Sequence, residues 1–183
     1  MRLTVQTQVT LDMFQADADA GMAWMTEFSP DMGAYITDLM DGVDTIVLGR
    51  KLAQGFIPHW ATHPADEPDE SIDFMNNSRR LVLTRTLTEP PWPNVQLVGS
   101  LDELAECKAS SSGDLIAYGG GQLLPGLLNA GLVDDLNLFV HPVAIGTGMP
   151  VFGPSPKACQ FTMRSTTTFE NGVTALRLAP ARR

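Results

Sequence analysis

The amino-acid sequence predicts an α/β fold with a mostly parallel central sheet, helices on both faces of the sheet and a C-terminal antiparallel hairpin. Three observations support this prediction. Short β-rich runs alternate with helical segments, two of these runs lead directly into glycine and a helix, and Asn171-Gly172 separates two strand-like runs near the end. The length of 183 residues fits one domain over residues 1–183.

The first half of the chain predicts two strand–helix pairs and a loop. Alternating apolar residues indicate the first strand, serine followed by proline indicates a helix start, and a β-rich run ending in glycine indicates the second strand. In order, these segments are 3–11, 29–40 and 43–48, followed by a short helix from Arg50 or Lys51. The polar, proline-bearing segment 58–69 predicts a surface loop.

The second half continues the same alternation. The spacing of Ser100 and Glu103 is that of a capping box, and Gly131 is a typical residue for the end of a helix. The predicted strands are 80–84, 95–98, 115–118, 136–140, 161–169 and 173–178, and the predicted helical segments are 70–77, 100–108 and 122–130.

Composition and charge limit the classes of partner. The net charge of −9 and the pI near 4.6 predict repulsion from nucleic acid and from anionic lipid, and no apolar run is long enough to span a bilayer. Two cysteines are too few for a disulfide framework, and the N-terminus is typical of a strand rather than a signal peptide. We therefore expect a cytoplasmic protein that binds a small molecule, without a nucleic-acid or membrane partner.

Two junctions between a strand and a helix contain glycine. They are Leu48-Gly49-Arg50-Lys51 and Tyr118-Gly119-Gly120-Gly121-Gln122. Unpaired amides at a helix N-terminus bind phosphate, and glycine lets the backbone approach a ligand closely. Both junctions fall at the carboxyl edge of a parallel sheet, so together they favour a dinucleotide, although each alone is also typical of a flexible turn or a surface triplet.

Basic residues at the strand ends favour NADP over NAD. Arg50, Lys51 and Arg85 all lie just past predicted strands, where they could bind a 2′-phosphate. No acidic residue stands about 20 positions after the triple glycine to hold a ribose diol. A solvated surface charge is the alternative interpretation of Arg85.

Five blocks of the chain, in order, resemble those of a known family. Thr10-Leu11-Asp12 resembles S-L-D-G, 43–51 resembles D-x-hydrophobic-G-R-[KR]-T, 81–87 resembles V-L-[ST]-R-T-L, 118–124 resembles G-G-G-x-L, and 131–148 resembles G-L-[VI]-D-E-L followed by P-hydrophobic-x-G-x-G. These blocks are similar to the dihydrofolate-reductase-like superfamily, and most similar to the C-terminal reductase domain of the riboflavin biosynthesis protein RibD.

The resemblance implies a dihydrofolate-reductase-like fold and an NADPH site. It implies that Gly49, Arg50 and Lys51 bind the adenosine phosphate side, that Thr84 and Arg85 contact the 2′-phosphate and adenine, and that Gly119, Gly120, Gly121, Gln122 and Leu123 hold the pyrophosphate. It places Asp12, with Thr10, at the nicotinamide and substrate cleft. Leu52 and Met13 depart from the threonine and the glycine of the family's blocks.

Asp12 is the candidate catalytic residue. Hydride transfer to a substrate needs one proton donor, and a carboxyl group in an apolar cleft has a raised pKa that suits this role. The alternative is that the Asp12 carboxylate caps the following loop by accepting hydrogen bonds from backbone amides.

The histidines do not predict a metal site. His59 and His63 have helical spacing, but Pro58 and Pro64 argue against a helix there. We expect instead a loop beside the active site, with Trp60 as a substrate lid. His141 fits either a ligand contact or an ordinary satisfied histidine.

Three functions follow from these observations. The first is an NADPH-dependent reductase of a small pterin- or pyrimidine-type substrate, like the 5-amino-6-ribosylaminouracil reductase of riboflavin biosynthesis. The second is a dihydrofolate reductase, which is disfavoured because Asp31 and Asp38 lie off the apolar stripe of the first helix. The third is a non-catalytic nucleotide-binding protein of the same fold. The resemblance also implies a homodimer.

Overall fold

The computed structural model describes residues 1–65, 67–153 and 158–181. In chain order, its elements are β1 (Leu3–Thr10), β2 (Phe14–Ala16), α1 (Pro30–Met40), β3 (Val43–Gly49), α2 (Arg50–Ala61), α3 (Asp69–Asn77), β4 (Arg79–Leu83), β5 (Val95–Val98), α4 (Leu101–Ser110), β6 (Asp114–Tyr118), α5 (Leu123–Asn129), β7 (Asp135–His141), β8 (Met149–Pro150), β9 (Phe161–Thr168) and β10 (Thr174–Pro180). Within these ranges no helix has the length and apolar character that a membrane span requires.

The main sheet has eight strands in the order β5-β4-β3-β6-β1-β7-β10-β9. Neighbouring strands from β5 to β7 are parallel, whereas β10 pairs antiparallel with both β7 and β9. The predicted α/β class, the mostly parallel sheet and the antiparallel C-terminal hairpin are therefore confirmed. Strand β1, the first in the sequence, lies in the middle of the sheet between β6 and β7.

Helices cover both faces of this sheet, but they cover them differently. On one face, α4 and α5 pack with Leu3, Val5 and Val9 of β1 in one continuous apolar cluster. On the other face there are two clusters. Helices α2 and α3, with Met40 from the end of α1, pack over β3, β4 and β6, while the rest of the buried face of α1 packs over β7 and β10. Strand β1 lies between these two clusters and contributes no apolar side chain to either of them.

Helix α2 corrects the loop that the sequence predicts at 58–69. The helix continues through Pro58 to Ala61, because Ala53, Ile57 and Trp60 have helical spacing and bury one face of α2 against the sheet. Because Pro58 lies only one turn before the end of the helix, its missing N–H group disrupts few of the helical hydrogen bonds. Residue 66 of the predicted loop lies outside the described residues.

A small second sheet was not predicted from the sequence. Strands β2 and β8 pair antiparallel, with Phe14 opposite Pro150 and Ala16 opposite Met149. Two or three residues are too few to show a periodic pattern, so these strands carry no local signal.

The predicted helix starts are correct, but the cap interactions differ in part. Ser100 accepts a hydrogen bond from the Glu103 amide as in a capping box, whereas Glu103 accepts one from the Gly99 amide, one residue before the N-cap. Ser29 occupies the N-cap of α1, yet its hydroxyl donates to the Asp31 carboxylate instead of accepting from the backbone.

A group of charges holds the amino ends of the central strands together. Asp135 at the start of β7 is buried and forms ion pairs with Arg2 and Arg177. The neighbouring Asp134 pairs with Lys108 and accepts a hydrogen bond from the Leu3 amide at 2.8 Å. These contacts connect β1, α4, β7 and β10 at the edge of the sheet opposite to the glycine junctions.

The substitution Asp135→Asn tests this arrangement. It removes the charge that two arginines share and leaves both of them without their partner, so we expect the free energy of unfolding to fall by about 2 kcal/mol. Urea denaturation at pH 7 measures this change.

The matched control is Glu106→Gln, which removes the same charge from an exposed position on α4. We expect that control to change the free energy of unfolding by less than about 0.5 kcal/mol. Equal losses in the two variants would show that the Asp135 ion pairs do not stabilise the strands.

Candidate active site

Three basic residues lie together at the carboxyl edge of the sheet. Strands β3 and β4 are neighbours with Gly49 opposite Leu83, so Arg50 and Lys51 follow the end of one strand and Arg85 closely follows the end of the next. Within the described part of the chain none of the three forms an ion pair, whereas the basic residues at the opposite edge do. Unpaired cations at the end of parallel strands suit an anionic ligand.

Thr84 shapes the turn that carries Arg85. It is buried, and its hydroxyl accepts hydrogen bonds from the Thr86 and Leu87 amides, both at 3.2 Å. Arg85 itself is exposed. The contact between Thr84 and a 2′-phosphate stays a prediction, while the structure shows how Thr84 positions its neighbour.

The two glycine junctions lie side by side. A Cβ atom on Gly49 would be 3.8 Å from Leu123, and one on Gly119 would be 3.0 Å from Leu52. Residues of both predicted phosphate-binding segments therefore meet at one edge, as a dinucleotide site requires. Leu52, which replaces the family's threonine, lies between them and is 38% exposed.

The triple glycine is already packed by a neighbouring segment. Gly119 and Gly121 have φ of 90° and 59°, which favour glycine, and the Gly120 amide donates to the Gln15 side-chain oxygen at 2.6 Å. The first amides of α5, at Leu123 and Leu124, donate to the Gly120 carbonyl. A pyrophosphate on the Gly120 amide would have to replace Gln15, so the role predicted for 119–123, including Gln122, stays a prediction.

The raised pKa expected for Asp12 is wrong. Its carboxylate accepts hydrogen bonds from the Thr10 hydroxyl at 2.6 Å and from the Gly146 and Ile145 amides at 2.7 and 3.3 Å. The Thr10 hydrogen bond, with those of the two amides, lowers the pKa of Asp12 below its usual value. Asp12 caps the loop after β7, whereas the alternative interpretation named the loop that directly follows Asp12, and this geometry does not suit a proton donor.

Thr10 does not face a substrate either. Its side chain is fully buried, and its hydroxyl donates to Asp12 and accepts from the Phe14 amide at 2.9 Å. Both hydrogen-bonding functions of the hydroxyl are thus used within the loop that follows β1.

Trp60 is not a lid. It is buried in α2, where its ring packs with Ile57, Ile72 and Met75. The expectation that Pro58 prevents a helix at His59 is also wrong, since His59 is an exposed residue of α2. The described residues contain no group of three or more acidic, histidine or cysteine side chains that could hold a metal.

A row of polar side chains lies where the apolar layer is divided. Gln6 of β1 is opposite Tyr118 of β6 and Asn137 of β7, and alternation along β1 and β7 puts Gln8 and His141 on the same face. We call this group the central cleft; its residues are Gln6, Gln8, Tyr118, Asn137 and His141.

Several polar groups of the central cleft have no hydrogen-bond partner among the described residues. These buried atoms are Gln6 Oε1, Tyr118 OH and Asn137 Nδ2, while Asn137 Oδ1 accepts a hydrogen bond from the Tyr35 hydroxyl at 3.3 Å. Unsatisfied buried groups are costly in a folded protein, and a ligand that supplies their hydrogen bonds removes the cost.

His141 connects the central cleft to a covering loop. Its Nδ1 accepts a hydrogen bond from the Thr26 amide at 3.1 Å, and its Nε2 lies 2.9 Å from Gln8 Oε1. Burial lowers the pKa of His141 from 6.5 to about 4, so the ring is neutral at physiological pH. Trp24 of the same loop packs edge-on against the ring, with centroids 5.4 Å apart.

The central cleft was missed in the sequence, although a signal for it exists. Polar residues alternate with apolar ones along β1. This pattern predicts a strand, but it does not predict where the strand lies in the sheet. Once β1 is central, Gln6 and Gln8 lie in the interior of the sheet rather than at a solvated edge. The loop signal is weaker, since Trp24 and its apolar neighbours Met22 and Met25 follow no period.

Comparisons with known proteins agree with this architecture. The RibD C-terminal domain family model matches residues 2–175. The uncharacterized protein YyaP of Bacillus subtilis (strain 168) is 31% identical over 176 residues, which cover 94% of this chain and 91% of YyaP. The riboflavin biosynthesis protein RibD of Corynebacterium ammoniagenes is 28% identical over 159 residues, covering 81% of this chain and 45% of that protein.

Solved structures show the same fold. A Shewanella sp. PV-4 protein, provisionally named for riboflavin biosynthesis, superposes with a TM-score of 0.80 at 22% identity and full coverage of both chains. Enterococcus faecalis dihydrofolate reductase, solved with NADP(H), has a TM-score of 0.67 at 12% identity, covering 99% of this chain and 97% of that one. The predicted dihydrofolate-reductase-like fold is therefore confirmed.

The buried neutral His141 predicts a particular pH dependence of stability. Its pKa is about 4 in the folded chain and 6.5 in the unfolded chain. Between these values the unfolded chain binds a proton that the folded chain does not, so stability falls as the pH is lowered through this window, by about 2 kcal/mol.

Urea denaturation at pH 7 and pH 4.5 measures this effect. His141→Gln should lose a large part of the pH dependence, and the control His59→Gln, on the exposed face of α2, should keep it. An unchanged slope in His141→Gln would show that another group causes it.

Proposed function

The chain belongs to the RibD C-terminal domain family, and from this premise we propose that it is an NADPH-dependent reductase of a small pyrimidine-type heterocycle. The observation that carries the proposal is the group of unpaired cations Arg50, Lys51 and Arg85, beside a cleft of unpartnered polar groups at the centre of the same sheet. An oxidoreductase of this kind needs a cationic site for its anionic cofactor next to a site for the heterocycle of its substrate.

The residues present fit NADPH at its adenosine end. Arg50, Lys51 and Arg85 would hold the 2′-phosphate, because their charges are not satisfied by any described acidic residue. The pyrophosphate would bind the Gly120 amide only if Gln15 moved away, since that amide donates a hydrogen bond to Gln15. When bound, NADPH supplies the hydride.

The central cleft would bind and orient the substrate. Gln6, Asn137 and Tyr118 offer an acceptor, a donor and a hydroxyl that have no partner in the described part of the chain. Burial raises the pKa of Tyr118, so its hydroxyl keeps its proton and can donate a hydrogen bond to a substrate oxygen or nitrogen. The loop that carries Trp24 covers this end of the sheet and would exclude water.

The side chains of α1 argue against a dihydrofolate reductase. Asp31 accepts hydrogen bonds from Ser29 and from the Met32 and Glu170 amides, and Asp38 is exposed. Neither carboxylate enters the central cleft, which instead contains neutral amide and hydroxyl groups. These groups suit a neutral lactam better than a cationic pterin.

A non-catalytic nucleotide-binding protein is the remaining alternative. Leu52 and Met13 replace residues of the family's blocks, but Arg50, Lys51 and Arg85 and the residues of the central cleft are all present. Oxidation of NADPH that depends on substrate would separate the two proposals. A cytoplasmic location, a homodimer and a place in riboflavin biosynthesis stay predictions.

Cofactor binding is tested by titrating the protein with NADPH and NADH while following nicotinamide fluorescence. We expect NADPH to bind at least about tenfold more tightly than NADH, and Arg50→Ala and Arg85→Ala each to weaken NADPH binding by about tenfold.

Arg164→Ala is the matched control, since Arg164 is exposed on β9 at the far edge of the sheet. Equal affinities for NADPH and NADH in the folded protein, unaffected by Arg50→Ala, would contradict the cofactor site.

Substrate turnover is tested with Tyr118→Phe and 5-amino-6-(5-phosphoribosylamino)uracil. Because the Tyr118 hydroxyl is buried without a partner, its removal should leave stability unchanged or raise it by about 1 kcal/mol. The same change should lower kcat/KM by at least about tenfold, with little effect on NADPH affinity. Full activity of Tyr118→Phe would show that the central cleft is not the substrate site.

A further inference from the structure

We propose that His141 is a positioning residue: it fixes Gln8 with its amide nitrogen toward the central cleft, so that this position accepts a ligand carbonyl and rejects a ligand amino group. This inference rests on the proposed function, because it takes the central cleft to be the site of the heterocycle. His141 would thus affect ligand specificity through Gln8, without contacting the ligand itself.

The first step is that the backbone fixes the imidazole. The atom that faces His141 Nδ1 is the Thr26 backbone nitrogen, at 3.1 Å, and a backbone N–H can only donate. Nδ1 must therefore be the unprotonated, accepting nitrogen. The neutral ring then carries its single proton on Nε2.

The second step is that the imidazole fixes Gln8. The Nε2–H group of His141 faces the Gln8 side chain at 2.9 Å, and only an acceptor is compatible with it. If the amide were flipped, two N–H donors would face each other at that distance. Gln8 Oε1 is therefore committed to His141, and its Nε2 is the group left for a ligand.

The third step is that Gln8 is free to use that donor. Its Nε2 donates to none of the described residues, and the side chain is half-buried on the face of β1 where the apolar layer is divided. Gln6 and Asn137 differ in this respect, because no backbone group determines which way their amides point. The protein therefore fixes the orientation of the Gln8 side-chain amide before a ligand binds.

The consequence is a selection between carbonyl and amino groups. A fixed donor binds a carbonyl oxygen, and it faces an amino group without forming a hydrogen bond, which leaves both buried donors unsatisfied. The loop of Thr26 and Trp24 contributes to this selection, since the Thr26 amide fixes the His141 tautomer and Trp24 packs against the same ring.

One experiment measures the tautomer directly. The ¹⁵N chemical shifts of the His141 ring at pH 7 should show an unprotonated Nδ1 and a protonated Nε2. A protonated Nδ1 would overturn the proposal, whatever the protein binds.

A second experiment measures the selection. The probes are 5,6-diaminouracil and 2,4,5,6-tetraaminopyrimidine, which differ in having carbonyl or amino groups at two ring positions, and binding is measured by calorimetry with NADPH present. We expect the wild-type protein to favour 5,6-diaminouracil by at least about tenfold.

Two variants separate orientation from a structural role. Gln8→Glu keeps an acceptor for His141 and turns an acceptor toward the cleft, so the preference should reverse. His141→Gln offers Gln8 either a donor or an acceptor, so the preference should shrink to less than about threefold while the protein stays folded at pH 7.

An unchanged preference in Gln8→Glu, or no wild-type binding of either probe, would overturn the inference. The proposed function fails separately. If NADPH does not bind but the probes are still discriminated, the reductase proposal is wrong and the role of His141 stands.

Discussion

A parallel sheet has helices over both faces, and its central strand is buried wherever those helices meet. Here β1 is the central strand, and on one face the apolar layer is divided into two clusters, neither of which includes a side chain of β1. Between these clusters β1 carries polar side chains, Gln6 and Gln8, at positions where apolar residues would otherwise complete the core. The remaining features of the site depend on this division of the apolar layer.

The same division explains how two binding regions of different chemistry lie next to each other. At the carboxyl edge of β3 and β4, arginine and lysine side chains that form no ion pair with a described residue provide positive charge in a chain whose net charge is −9. Over β1, β6 and β7, neutral amides and a hydroxyl provide hydrogen bonds. The first region suits phosphate, and the second suits a neutral heterocycle. The glycine junctions, which bring Gly49 and Leu123 close, lie at that same edge.

Local sequence patterns predicted the parts of this structure that depend on near neighbours. The alternation in β1, the hairpin at Asn171-Gly172 and the capping box at Ser100 all use interactions within a few residues. The failures involve distant partners. Asp12 has a lowered pKa because the Thr10 hydroxyl donates to it and because the amides of Gly146 and Ile145 reach it from the loop after β7. Trp60 is buried because α2 packs on the sheet. Likewise, Gln8 and His141 acquire their roles only when β1 and β7 become neighbours.

The most direct test of the central cleft follows the side-chain amide resonances by NMR while NADPH-loaded protein is titrated with 5,6-diaminouracil. We expect the resonances of Gln6, Gln8 and Asn137 to shift together with one affinity. The amides of Asn77, Asn94 and Gln96, which line a shallow pocket beside β4 and β5, should not move. Shifts confined to that pocket, with the three amides of the central cleft unchanged, would contradict the account.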